Sequence, residues 1–167
     1  GIFKLQHRGQ KYCGIATYRP PNTITVTTHK GFVRHTFTPE ELRDLAGNWG
    51  IAHVSLKERQ PVFFDARPGP FAVAFSGYIC NAGEIAEKFK AQGHSFSTGG
   101  HVEIVGKIIA CEKDFVTGLE HLAARVIGSY AVLILTEKGI FAARDPHGFK
   151  PLILGQKEMA TAISSES

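Results

Sequence analysis

Phe71-Ala-Val-Ala-Phe-Ser76 and Tyr130-Ala-Val-Leu-Ile-Leu-Thr136 bracket the stretch whose reading decides the fold. Both are compact apolar runs, too short for buried helices and the right length for strands. Between them the hydrophobic period changes from two to 3.6. Asn81 stands as a cap before a segment with Glu84 at its third helical position, Ile85 and Phe89 on one face and Gly93 as its stop. Glu103–Cys111 follows with Ile104, Ile108 and Cys111 on one face. Asp114 then opens a helix that turns Phe115, Leu119, Leu122 and Val126 inward and ends at Gly128.

Outward from this block the pattern is mostly strand. Toward the C-terminus, a Lys138-Gly139 turn separates Tyr130–Thr136 from Ile140–Arg144, and Pro151–Gly155 and Met159–Ile163 follow. Toward the N-terminus, Gly50–Val54 reads as a buried strand, and Gln60–Pro70, with Pro61, Pro68 and Pro70, as a loop. Thr38-Pro-Glu-Glu41 carries a Thr cap, a proline at the first helical position and a glutamate to reach back to the cap amide. Thr23–Thr28 alternates Ile24 and Val26 with threonines, and a Lys30-Gly31 turn predicts a hairpin with Phe32–Phe37. Strands, then helices, then strands, joined by hairpin-length links, predict an α+β fold with antiparallel pairing.

A length of 167 residues with 43% hydrophobic and 20% charged residues belongs to a folded domain with a real core, and excludes a disordered tail. Residues 1–167 are expected to form a single domain. The net charge of +4 comes from 19 Lys+Arg spread singly among 15 Asp+Glu. Without a basic stripe or an arginine-rich block, nucleic acid is not an expected partner. The longest apolar runs fall far below the roughly 20 residues that cross a bilayer, so no membrane role is expected. No basic-then-apolar leader opens the chain. Cys13, Cys80 and Cys111 cannot pair completely and match neither a CxxC nor a metal spacing. These features predict a reduced, cytoplasmic protein with no metal and no cofactor.

Three motifs go beyond pattern. Leu5-Gln-His-Arg-Gly-Gln10, followed by Cys13-Gly-Ile-Ala16, resembles the start of amidophosphoribosyltransferases, the glutamine-using enzymes of early purine synthesis. Arg144-Asp-Pro-His-Gly-Phe-Lys-Pro-Leu152 resembles a second segment of that family, and Ser165-Glu166-Ser167 a third. The order of the segments between them follows the family's amidotransferase domain, so the resemblance spans essentially the whole chain. It implies a class II glutamine amidotransferase domain of the N-terminal-nucleophile hydrolase type, a four-layer αββα sandwich of two antiparallel sheets. No stretch resembles the family's phosphoribosyltransferase half.

In active members the resemblance implies a terminal cysteine whose thiolate attacks the glutamine amide. Its own α-amine, with a pKa near ~8, serves as base. An Asn side chain and the N–H of the following glycine hold the oxyanion. An Arg and an Asp hold the carboxylate and ammonium ends of glutamine. Here Gly1 matches a family position after the nucleophile strand, so the first strand is expected to be missing and no catalytic residue is assigned. Ser55 stands where the Arg is expected and Ser76 where the Asn is, although Gly77 is kept. His101 stands where the Asp is expected. Arg8 and His53 belong to motifs near the site.

Glutamine binding is therefore not expected, and the reading is a domain with a structural, binding or regulatory role. A protein partner or a second copy would cover the sheet edge left by the missing strand. His101 reverses or neutralises the local charge, which leaves room for a changed ligand such as an anion facing it. The alternative stays open: the glutaminase domain of an active amidophosphoribosyltransferase whose cysteine lies outside this sequence. Plainer readings cover the remaining candidates. Arg144–Leu152 is expected to be a tight turn with Asp145 bonded locally and Pro146 and Gly148 shaping it, not a phosphate loop. Cys80, despite His94 and His101, is expected to be a buried structural residue. His7 and His53 are read as hydrogen-bonded histidines of the core or behind the site, and Trp49 and the phenylalanines as core.

Overall fold

The computed structural model describes residues 1–166. At its centre β5 (Phe71–Ile79) and β6 (Gly128–Thr136) pair antiparallel along their full length, Phe71 opposite Thr136 and Ile79 opposite Gly128. These are the two apolar runs that bracket the helical block. β4 (Val62–Phe64) and β7 (Gly139–Arg144) flank them, giving a four-stranded sheet in the order β4-β5-β6-β7. A second, three-stranded sheet has the order β2-β1-β3, from β1 (Tyr12–Arg19), β2 (Thr23–Lys30) and β3 (Trp49–Ser55). β8 (Ile153–Lys157) and β9 (Ala160–Ser164) form a separate ribbon. Every pairing is antiparallel.

Strand alternation sorts the core into two layers. Phe71, Val73 and Phe75 of β5, with Tyr130, Val132 and Ile134 of β6, face α3 (Ala82–Ala91), α4 (His101–Ala110) and α5 (Phe115–Arg125). Ile85, Phe89, Ile104, Ile108, Phe115 and Leu122 complete that core from the helix faces expected of them. Ala72, Ala74 and Leu135 point the other way, onto Ala16, Tyr18 and Ile51 of the three-stranded sheet. Trp49 stitches the sheets together: its ring stacks on Tyr18 at 5.0 Å and its indole N–H donates to the Thr136 carbonyl at 2.9 Å. The fourth layer is thin. Cys13 and His29 are opposite each other on β1 and β2; they meet Thr36 of α1 (Val33–Thr36) and Glu41 of α2 (Pro39–Asp44). The result is an αββα sandwich of two antiparallel sheets.

α2 has the capping box read from Thr38 and Glu41, and the Asp114 carboxylate accepts from the Thr117 amide at the start of α5. Elsewhere the structure corrects the sequence reading. Phe32–Phe37 is not a strand but holds the single turn α1; β2 pairs with β1 instead, across the Pro20-Pro21-Asn22 turn. β1 escaped notice because Cys13, Gly14, Ala16 and Thr17 are small and show little alternation. Gln60–Pro70 is not wholly a loop, since its prolines bracket Val62–Phe64 and leave those amides free to pair with β5. Gly128 opens β6 instead of closing α5. Asn81 does not cap α3; its side chain accepts from the Ile127 amide and donates to the Arg125 carbonyl, at the exit of α5. Phe3, Phe32, Phe63 and Phe149 are exposed and not core.

Candidate functional site

The C-terminal ends of β3 and β5 come together beside the start of α4 and leave a cavity of about 440 Å³. Arg8, His53, Ser55, Ser76, Gly77 and His101, the positions singled out from the sequence, all line it. β3 supplies His53 and Ser55, β5 supplies Ser76 and Gly77, and α4 begins at His101. Gly77 is demanded by sheet geometry, because a β-carbon there would run into the Ser129 backbone oxygen on β6. The Arg8 guanidinium bonds the Ser165 hydroxyl and carbonyl and lies 3.5 Å from Glu166. The N-terminal motif is thereby tied to the C-terminal one; Ser167, last in that motif, lies outside the described residues.

Glu58, which sequence reasoning passed over, organises the opposite wall. The Ser55 hydroxyl donates to the Glu58 carbonyl at 2.5 Å and accepts from the Glu58 amide at 3.0 Å, closing a tight turn after β3. That turn aims the Glu58 carboxylate at the N-terminus of α4, where it accepts from the His101 amide at 3.0 Å and the Val102 amide at 3.1 Å. α4 has no side-chain cap from Gly100; a β-carbon at that position would lie 2.8 Å from the Glu58 carboxylate. Glu58 satisfies orphan amides and the positive helix end together. Only an acid in the right place after a strand could have signalled this, and no local spacing marks it.

Three further groups shape the site. The Glu103 carboxylate accepts from the Ser97, Thr98 and Gly99 amides and the Thr98 hydroxyl, folding the segment before α4. Burial pushes its carboxyl up, but those bonds outweigh it and leave the pKa lowered. Asp145 does the same for the 144–152 motif, accepting from the amides of Tyr130, His147, Phe149 and Lys150. Burial again opposes these bonds, and the net effect lowers its pKa. The turn is the locally bonded one expected, and it brings Lys150 to the cavity. His53 is held neutral: burial lowers its pKa to about 4, a backbone bond with Phe75 opposes the shift, and the Arg8 charge adds to it. Its Nδ1 is buried without a partner.

His101 packs edge-on against Tyr78 at 5.0 Å and Phe75 at 6.1 Å. Cys80 is exposed, contrary to expectation; β5 turns Ile79 inward, so the next side chain faces out. His7 is also exposed and bonds Glu166 at 3.1 Å. Among the described residues no group of His, Cys, Asp or Glu is arranged to hold a metal ion, and no helix is long and apolar enough to cross a membrane.

A family model described as a glutamine amidotransferase domain matches residues 44–167. The chain belongs to the glutamine amidotransferase family. It is 31% identical to the amidophosphoribosyltransferase of Methanothermobacter thermautotrophicus, over 99% of this chain and 37% of that protein. With the Methanocaldococcus jannaschii enzyme it shares 33% identity over 99% of this chain and 38% of that one. The solved glutamine phosphoribosylpyrophosphate amidotransferase of B. subtilis, complexed with ADP and GMP, superposes with a TM-score of 0.91 at 28% identity. The match covers 98% of this chain and 37% of that one. The fold is that of the N-terminal-nucleophile hydrolase domain of these enzymes, and the chain spans under two fifths of the length of the curated relatives above.

Proposed function

We propose that this is an amidotransferase-like domain, related to the glutamine domain of the purine-pathway amidophosphoribosyltransferases, that does not grip glutamine and serves a structural, binding or regulatory role. One observation carries the reading: Ser55 and the backbone of His101, at the two expected clamp positions, are both bonded to Glu58. Ser55 offers no guanidinium for a carboxylate, and its hydroxyl is occupied by the turn. His101 offers no carboxylate for an ammonium. Ser76 is shorter than asparagine, and one oxyanion donor is worth roughly 2.7–4 kcal/mol in this chemistry.

Titration calorimetry with glutamine tests this directly, because binding does not depend on a nucleophile. No saturable heat is expected from the chain itself, and the triple variant Ser55→Arg, Ser76→Asn, His101→Asp is expected to gain it. Saturable glutamine binding by the unaltered chain overturns the reading. It would favour the second one, a glutaminase domain of a longer amidophosphoribosyltransferase, which draws on the close superposition with the B. subtilis enzyme.

The same proposal extends to β3. Among the described residues it pairs only with β1, and a groove of about 720 Å³ lined by Leu5, Ile51, Leu133, Ile140 and Ile163 runs beside it. Its unpaired backbone groups call for an extended strand, from a protein partner or a second copy, to complete the sheet. β5, by contrast, is paired with β6 along its whole length and with β4 over Phe71–Val73.

A further inference from the structure

We propose that the cavity between β3, β5 and α4 receives a small organic dianion, not a zwitterionic amino acid. The inference rests on the reading above, that the site has lost its amino-acid clamps. The lining side chains that carry full charge at neutral pH are Arg8, Lys57, Lys150 and Glu58, three cations against one anion. That anion is already compensated: each Glu58 oxygen accepts an amide of α4 at a helix end bearing about half a positive charge. Arg8 is met by Glu166, and among the described residues no further carboxylate lines the cavity to meet Lys57 and Lys150. Asp145 is surrounded by backbone amides, and Glu166 is engaged by Arg8 and His7. Among the described residues Lys57 and Lys150 enter no ion pair.

The cavity thus carries a surplus of positive charge along a concave wall, which draws anions toward it. Its volume of about 440 Å³ suits a small molecule. The Tyr78, His101 and Phe75 rings, packed edge to face, make one largely apolar side, fit for a short carbon chain between two charged ends. Two oxyanion charges match the two unpaired ammonium groups. A free ammonium on the ligand would find only Glu58, whose oxygens are already bonded. A short dicarboxylate and a phosphate share this chemistry.

The test is an NMR titration of the full chain, read at the amides of Gly77, Tyr78 and His101, with glutarate and, separately, inorganic phosphate. At least one probe is expected to give saturable shifts, and the tighter one identifies the class of anion. The variant Lys57→Ala/Lys150→Ala is expected to weaken that probe by about tenfold or more, while Lys88→Ala/Lys113→Ala, on remote surfaces, leaves it unchanged. Raising the salt concentration is expected to weaken it as well. Silence from both probes, or unchanged affinity in the Lys57/Lys150 variant, overturns the proposal. Silence from glutamine in the same experiment leaves the proposed function standing. Saturation by glutamine fells that function, and it fells the dianion proposal too if glutamine binds more tightly than either probe.

Discussion

Two carboxylates brace the cavity from opposite sides, and they differ in how far they reach. Asp145 bonds the amides two, four and five residues ahead of it, plus Tyr130 on the neighbouring strand. Glu58 reaches across 43 and 44 residues to the start of α4. Asp145 is 2% exposed and serves four amides, whereas Glu58 is half-buried and serves two. The first is mainly a local turn, closed by three amides within five residues. The second exists only because β3 and α4 have already been brought together, and it builds one wall of the cavity from groups far apart in the chain.

The largest effect is expected on the local brace. Asp145→Ala leaves the buried Tyr130 amide and three part-buried turn amides without their acceptor and is expected to be the most destabilising of these changes, read as a shift in the urea unfolding midpoint. A loss below about 1 kcal/mol would mean that water replaces the carboxylate and that the two braces do not differ in kind.

Acid separates the braces from the floor between them. The folded-state pKa of His53 is lowered from 6.5 to about 4, so below 6.5 the unfolded chain binds a proton that the folded one refuses. Stability is expected to fall by up to about 3 kcal/mol as the pH drops from about 6.5 to about 4, and to level off for this group below that. Asp145 and Glu103 have lowered pKa values as well, from ordinary values of 3.8 and 4.5. Their contribution is complete above those values and is lost as the pH falls through the lower folded ones. Unfolding free energies across this range should therefore show two stages, and His53→Phe should abolish only the upper one.

The distant brace is expected to be weaker. Glu58→Ala removes a helix cap and should cost about 1–2 kcal/mol, and Ser55→Ala, which loosens the turn behind it, about 1 kcal/mol. Because Ser55 acts by aiming Glu58, the double variant should cost less than the two losses added together. Full additivity in a double-mutant cycle would show that the turn and the cap are independent.

The sequence was legible where the physics is local. Periodicity placed Ile85, Phe89, Ile108 and Leu122 on buried helix faces, turn chemistry identified Asp145 as a local anchor, and the resemblance pointed to six positions that do line one cavity. It was illegible where the partner is remote. β1 pairs with β2 across a proline turn that the Lys30-Gly31 signal outcompeted. Cys80 could be read as exposed only once the orientation of β5 was known. Glu58 had nothing near it to mark it.

By itself the sequence determined the α+β class, the helical block between β5 and β6, and the side-chain chemistry at positions 55, 76 and 101. A 3.6-residue period, a cap and a hydroxyl or imidazole side chain are properties of a residue and its near neighbours. Tertiary structure alone decided that Glu58 would occupy the head of α4, and that, among the described residues, Lys57 and Lys150 would share a cavity without an ion pair and β3 would keep an open edge. Each of these depends on distances between segments far apart in the chain, and those distances are set by the packing of two sheets against one another.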